Sequence, residues 1–332
     1  MNSTESNLTY AELLRREFAS RSRTEIIVSS STLIFINALA LFGNTMVVIA
    51  FLWKPRLRNI TNTFIIALCL SDILMALFPM PMSAGALMLG EWPYNDISCT
   101  VQGFLVNFLA FVSLQIMALT AVNRFYKIKK PLRCNIIFTY RSTVLMISAA
   151  CLVSLGVSIS LVFTTTDRVF LFHPGKIICV PGNMGLYYSL IYTTLSSLFF
   201  VVLPATVIVI CYTKVFRKLR KHNQQLHRRV GQHPNALNIR RESKMRRSEI
   251  TISRTLFGTV LGFFVCWIPC FGIDIADVMI SDNLDRRVYL VYMYLAYTSS
   301  AINPLIYGIL NPSFRREFFN VLSCKNGREI SG

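Results

Sequence analysis

The sequence predicts an all-α membrane protein: a seven-transmembrane helix bundle followed by a short amphipathic cytosolic helix. The chain is 53% hydrophobic and only 15% charged, too apolar a balance for an ordinary soluble domain. Apolar runs near residues 26–52, 63–89, 97–123, 143–163, 187–213, 255–280 and 288–310 each reach the roughly 20 residues a helix needs to cross a bilayer. The basic residues, finally, collect in alternate connections between these runs. The organisation expected is an extracellular segment 1–25, one helix-bundle domain 26–310, and an amphipathic helix with a short tail, 311–332.

The net charge of +18 raises nucleic acid as a partner, but its placement argues for a membrane. Lys54, Arg56 and Arg58 follow the first span, and Lys127, Lys129, Lys130, Arg133 and Arg141 lie between the third and fourth. The largest cluster runs from Lys214 to Arg247, and Arg315, Arg316, Lys325 and Arg328 sit in the tail. The other connections are nearly bare, with Arg168 and Lys176 in one and Arg286 and Arg287 in another. By the positive-inside rule the N-terminus is outside and the C-terminus cytosolic, in the plasma membrane. Arg15, Arg16, Arg21 and Arg23 run against that pattern. The basic face is expected to meet anionic membrane lipid and an acidic intracellular partner, with no nucleic acid.

Met1 to Thr24 has no apolar core, so the first span itself is expected to act as the targeting signal. Asn2-Ser3-Thr4 and Asn7-Leu8-Thr9 are glycosylation sequons in the outer segment; Asn59-Ile60-Thr61 matches too, but on the cytosolic side. Cys69, Cys151, Cys211, Cys266 and Cys270 fall inside spans, where cysteine behaves as a small apolar residue. Cys99 and Cys179 fall at the outer ends, in an oxidising compartment, and are expected to form a disulfide. Cys324 follows the amphipathic stretch Ser313 to Leu322 and is either palmitoylated or a free thiol.

Every span carries residues that lipid alone cannot satisfy. The first has Gly43-Asn44, the second Ser71-Asp72, and the third ends in Asn123-Arg124-Phe125. The fifth has Pro204 and Tyr212; the sixth has Phe263 and Cys266-Trp267-Ile268-Pro269. The seventh ends in Asn303-Pro304-Leu305-Ile306-Tyr307, where proline removes a helix hydrogen bond and the span is expected to bend. In this order, and with the Cys99/Cys179 pair, the set resembles a rhodopsin-like (class A) G-protein-coupled receptor over about residues 30–324.

That resemblance implies a non-enzymatic receptor that converts binding of an extracellular small molecule or peptide into activation of a heterotrimeric G protein. It implies a switch made of Leu114, Pro204, Phe263, Trp267 and the Pro269 hinge. Coupling falls to Arg124, Tyr212, Asn303, Pro304 and Tyr307, with Pro131 and Leu132 facing the G protein. Asn123 stands where the family usually has Asp, so a restraint on Arg124 must come from elsewhere. Glu249 is the candidate, either as an ion-pair partner or merely as a solvated charge among Arg246, Arg247 and Arg254. The family's usual Trp in the fourth span is also missing. No other cofactor is expected, but the resemblance implies an allosteric sodium ion among Asn44, Asp72, Ser113, Trp267, Ser299 and Asn303. The alternative is a protonated Asp72 bonded to Asn303 and water.

For the ligand, the sharpest statements are exclusions. Amine receptors of the family carry Asp where this chain has Val106, which argues against a monoamine held there. Opsins carry lysine where it has Tyr297, so no retinal Schiff base can form there. The remaining mouth comprises Gln102, Asn107, Phe271, Asp274, Asp277, Tyr289, Tyr292 and Tyr297. Asp274 and Asp277, with Asp282 and Asp285 in the following loop, either attract a basic ligand or peptide or form a solvated rim balancing Arg286 and Arg287. An indoleamine-like small molecule is the other ligand class. Phe78-Pro79-Met80-Pro81 and Asn123-Arg124-Phe125 are similar to melatonin-like receptors and invertebrate orphan relatives, but melatonin receptors usually have Ala in place of Pro304. The connection 218–248 is expected to have a disordered middle between helical extensions, with Ser243, Ser248 and Ser253 as kinase sites and the connection as the place for any arrestin regulation. A transporter or channel would show internal repeats, and none is visible. A receptor-like protein that binds without signalling is a further alternative.

Overall fold

A computed structural model describes residues 10–164, 170–182, 186–232, 237–279, 284–311 and 314–316. The sequons at Asn2 and Asn7 and the thiol of Cys324 lie outside the described residues. In chain order the helices are α1 (Tyr10–Ala19), α2 (Arg23–Trp53), α3 (Ile60–Leu77), α4 (Pro79–Leu89), α5 (Asp96–Lys129), α6 (Pro131–Ile137) and α7 (Tyr140–Thr164). After a hairpin of β1 (Phe170–His173) and β2 (Ile178–Pro181) come α8 (Leu186–Ser197), α9 (Leu203–Gln232), α10 (Leu237–Met279) and α11 (Arg286–Leu310).

Seven of these units form the bundle: α2, α3 with α4, α5, α7, α8 with α9, α10 and α11. Among the described residues, six contain a stretch long and apolar enough to cross a membrane. The seventh, α11, is too polar to qualify. Its Ser299, Ser300, Asn303 and four tyrosines are nevertheless buried in the bundle, where neighbouring helices satisfy what lipid could not. The bundle's outer face is apolar, with Phe35, Leu145, Val209, Val265 and Ile309 all exposed. In water such a surface would be a liability; against hydrocarbon it is the solvated face.

Helix starts follow capping chemistry. Ser22 Oγ accepts from the Glu25 N–H at 3.2 Å, Asn95 Oδ1 from Ser98 at 2.8 Å, and Asp285 Oδ1 from Arg287 at 2.7 Å. Asn59, the sequon residue expected on the cytosolic side, caps α3 by accepting from the Asn62 N–H at 3.0 Å. The second span breaks at Phe78, because Pro79 and Pro81 lack the N–H groups that would continue the ladder. In the fifth span a π-helical turn, Leu198–Val202, precedes Pro204, relieving the register that the proline disrupts.

Three features add to the sequence reading. The outer segment is not featureless: α1 buries Leu14 and Phe18, and Phe18 lies 6.1 Å from Phe172 of β1. The connection after the fifth span is helical through Gln232 and again from Leu237. Its lysines, arginines and glutamines are good helix formers, in keeping with the expected helical extensions; residues 233–236 between them lie outside the described residues. Of the amphipathic helix, only the helical residues 314–316 are described; Phe314 is buried 6.0 Å from the Tyr307 ring.

Two glycines set close approaches. A Cβ on Gly103 would lie 2.7 Å from the Cys179 carbonyl and strike the Phe170 ring, so glycine lets the hairpin rest on α5. A Cβ on Gly43 would lie 2.6 Å from Pro304 Cγ, so glycine seats α2 against the bend of α11. Gly43→Ala should therefore cost about 1–3 kcal/mol by overpacking and lower the melting temperature of the purified protein. Adding Pro304→Ala, which removes the opposing ring, should restore part of the loss.

Candidate functional site

The functional residues fall at three levels of the bundle. At the end opposite the hairpin, Arg124 is 1% exposed on α5, and its Nη2 donates to Glu249 Oε2 on α10 at 2.6 Å. A buried guanidinium is costly unless paired and hydrogen-bonded; Glu249 supplies the countercharge and one hydrogen bond, while Arg124 Nε is buried without a hydrogen bond among the described residues. Of the two readings of Glu249, the geometry has the ion pair, with the carboxylate still 30% exposed. Asn123 contributes nothing to Arg124; its Oδ1 accepts from Thr61 of α3 at 3.2 Å. Tyr212 and Tyr307 are buried beside this level, and the Tyr212 ring packs 5.3 Å from Phe257 of α10. Leu132, at the start of α6, is 82% exposed.

The middle level is a small cavity walled by Ser71, Asp72, Ser113, Trp267, Ser299 and Asn303 among others. Its free volume, measured to the centre of a water-sized sphere, is about 10 Å³, room for a single water or small ion. Asn303 Nδ2 donates to Asp72 Oδ2 at 2.7 Å, and Ser71 and Ser113 share a hydroxyl hydrogen bond of 3.2 Å. Asn303 Oδ1 is buried with no protein partner among the described residues. One carboxylate with an unused amide oxygen and a hydroxyl suits a hard cation. Two members of the expected sodium set stand differently from the rest, although Asn44 Oδ1 is buried without a hydrogen bond among the described residues. Asn44 is absent from the cavity wall and donates instead to the Ala40 and Ser300 carbonyls at 2.8 and 3.1 Å, tying α2 to α11. Trp267 has an indole N–H that can only donate, so it can wall a cation site but not ligate one. Above Phe263 its ring stacks at 5.7 Å; Leu114 and Pro204 are buried nearby in the bundle core.

The hairpin end holds the expected mouth residues, and most are engaged. The Cys99–Cys179 disulfide, with Cα atoms 5.5 Å apart, pins β2 to the top of α5. Gln102 is fully buried: its Oε1 accepts from the Cys179 N–H at 2.7 Å and its Nε2 donates to Ser83 Oγ at 2.8 Å. Ser83 also bonds the Tyr297 hydroxyl and the Ile177 carbonyl, each at 2.7 Å. Asn107 is turned back on its own helix, donating to the Gly103 carbonyl at 2.9 Å. Val106 is half-buried and Phe271 lies 6.1 Å from Trp267. Lys176 of the hairpin reaches Asp274 at 2.8 Å, and Tyr292 donates to the same carboxylate at 3.4 Å. Tyr289 is buried under His173, ring to ring at 5.0 Å. Over this level lies α1, whose Tyr10 hydroxyl donates to the Leu284 carbonyl at 2.6 Å. Beside it Arg21 donates to the Leu87 carbonyl at 2.5 Å; burial first, then nearby Arg286, pushes its guanidinium down to about 10, so it stays charged at neutral pH.

Sequence reasoning missed Ser83 and Lys176. Ser83 was findable, being a polar residue in an apolar span and thus subject to the rule that singled out Asp72. Lys176 offered only its isolation in a nearly bare loop.

The sequence matches the 7 transmembrane receptor (rhodopsin family) over residues 43–307. This chain belongs to that family. It is similar to the octopamine receptor beta-2R of Chilo suppressalis, 28% identical over 322 residues that cover 88% of this chain and 78% of the relative. It is likewise similar to trace amine-associated receptor 4 of Mus musculus, 28% identical with 89% and 86% covered. Melatonin receptor type 1B-B of Danio rerio is 25% identical, with 92% and 84% covered. The fold is that of the squid rhodopsin crystal structure, with a TM-score of 0.79, 20% identity, and 95% and 91% of the two chains covered. The protein is thus a multi-pass G-protein-coupled receptor that signals without catalysis, and the transporter reading is not favoured.

Gln102→Leu should leave the Cys179 N–H and the Ser83 hydroxyl short of a partner in a buried place. A loss of about 1–3 kcal/mol is expected, seen as a lower melting temperature and faster hydrogen exchange in β2.

Proposed function

We propose that the receptor stands in the plasma membrane with the hairpin end outside and the Arg124–Glu249 end in the cytosol, and that this ion pair is the latch of its switch. The observation that carries the proposal is the 2.6 Å contact between a buried arginine on α5 and a carboxylate on α10. While the pair is closed, the two helices cannot separate and no cleft opens between them. A ligand that prefers the open arrangement shifts the equilibrium by its differential affinity for the two states. Pro269 interrupts the backbone ladder of α10 and supplies the hinge. On opening, Arg124 loses Glu249, and the buried hydroxyls of Tyr212 and Tyr307 are the nearest replacements on α9 and α11. The G protein then meets Leu132 and Ile136, both more than three-quarters exposed, among Lys129, Lys130 and Arg133.

The other assignments belong to the same reading. Residues 26–310 act as one receptor domain, with 1–25 outside and 311–332 inside; glycans occupy Asn2 and Asn7, and a palmitoyl chain at Cys324 joins the basic face to anionic lipid. Kinase and arrestin act on the stretch 218–248 through Ser243 and Ser248; Ser253, the third expected site, is fully buried on α10 and drops out. Asp72, Ser113 and Asn303 hold a sodium ion, with Ser299 beside them. When bound, the ion supplies the countercharge that a buried carboxylate needs and favours the latched arrangement. For the ligand, the amine and indoleamine names of the relatives support an amine-like molecule, but Val106 requires its charge to be met elsewhere than on α5.

Basal nucleotide exchange on a panel of heterotrimers tests the latch without a ligand. Glu249→Gln should raise exchange, and Arg124→Ala should abolish it. Because Glu249 is 30% exposed, solvent screens the pair to about 1 kcal/mol, roughly a fivefold change in the open fraction. Exchange that Glu249→Gln leaves unchanged would remove the latch. Replacing sodium by N-methylglucamine should raise basal exchange in the parent and have no effect in Asp72→Asn.

A further inference from the structure

The hairpin end contains a site for an organic cation, and the chain itself occupies it. Between β1 and β2 the backbone passes through Gly175, Lys176 and Ile177. The lysine side chain turns into the bundle and is only 10% exposed. Its ammonium lies 2.8 Å from Asp274 Oδ1 on α10, while the Tyr292 hydroxyl of α11 donates to Oδ2 of the same carboxylate. The Tyr292 and Tyr289 ring centroids are 5.3 and 5.8 Å from the nitrogen. A carboxylate flanked by two aromatic faces is how proteins recognise ammonium groups, each ring adding about 0.5–2 kcal/mol.

The path of the hairpin tip is enforced at every residue. The Lys176 N–H donates to His173 Nδ1 at 3.1 Å. Gly175 lies flat on Tyr289; a Cβ there would come within 2.6 Å of that ring. Ile177 has a φ of +54°, a conformation that a β-branched residue rarely adopts and that costs about 1–3 kcal/mol. It is nonetheless fully buried, its carbonyl held by Ser83. A salt bridge serving stability alone could form between two rim residues without this strain. Here the strain delivers a single ammonium to a carboxylate and a ring borne by the sixth and seventh spans.

We propose that Lys176 is a tethered stand-in for the receptor's ligand, and that the external ligand carries an ammonium or guanidinium group that displaces it from Asp274, Tyr289 and Tyr292. This rests on the receptor reading above and names the ligand chemistry of that same mouth. It also answers the missing carboxylate at Val106: the charge is met across the mouth, on α10. Asp274 keeps 38% of its side chain exposed, so a ligand can approach before the lysine leaves. Exchange of one cation for another costs little at the carboxylate but frees α10 from the hairpin. A short tether holds its group at an effective concentration of about millimolar or more, so a bare alkylammonium competes poorly and a true ligand needs further contacts.

The test is thermal unfolding of the purified receptor with n-butylammonium chloride against sodium chloride at equal ionic strength. Lys176→Ala should melt lower than the parent and be restabilised by butylammonium, with a half-maximal concentration at least about tenfold below the parent's. The double variant Lys176→Ala with Asp274→Asn should not respond. Lys176→Gln, which keeps a polar tip of similar length, gives the same comparison where Lys176→Ala does not fold. Equal responses in the parent and the lysine variant, or in the single and double variants, would overturn the proposal. Melting needs no G protein, so a receptor silent in nucleotide exchange would still answer this question.

Discussion

A guanidinium buried to 1% exposure is the constraint on which the arrangement of the whole bundle depends. Removing a charge from water costs several kcal/mol even after relaxation, so Arg124 must be met by a fixed acceptor wherever α5 places it. Glu249 is that acceptor, and it stands on a different helix. Closure of α10 against α5 is therefore a condition of burying Arg124 as it is buried here. Most receptors that the sequence resembles place an acid next to this arginine; here that position is Asn123, occupied with Thr61. Among the described residues, the ion pair that meets Arg124 is an interhelical one.

The same helix carries a second charged contact, made with the hairpin. Asp274 lies 25 residues beyond Glu249 on α10, and Pro269 falls between them. One end of α10 is held by Arg124, the other by Lys176, and the Phe263–Trp267–Phe271 ring series runs along the middle. A rigid helix held at both ends and weakened near one of them is a two-state element that both ends can bias. The small polar cavity faces this middle section through Trp267 and Phe263, so an ion at Asp72 would act on the same element.

Much of this was legible in the sequence, for identifiable reasons. Apolar length announced all seven spans, the run 288–310 included, although α11 buries enough polar groups to be less apolar than the other six. The disulfide followed from two cysteines at one end of the bundle. Glu249 followed from the absence of an acid beside Arg124. What stayed hidden depends on distant pairing. Lys176 and Asp274 are 98 residues apart, and no local pattern marks either as a partner. Gln102 and Asn107 both read as pocket lining, yet the first is committed to the hairpin and the second to its own helix. Asn44 read as an ion ligand but ties two helices together. In each case the residue type was right for the chemistry and its direction was set by tertiary packing.

The central claim, that one ion pair holds α10 against α5, is a statement about a distance. Electron-resonance distance measurement between spin labels at the exposed positions Arg141 and Arg254, on α7 and α10, reads it in the receptor alone. The account predicts one short, narrow distribution in the parent and a second, longer component in Glu249→Gln. Identical distributions in the two proteins would mean that something other than the Arg124–Glu249 pair keeps the bundle closed.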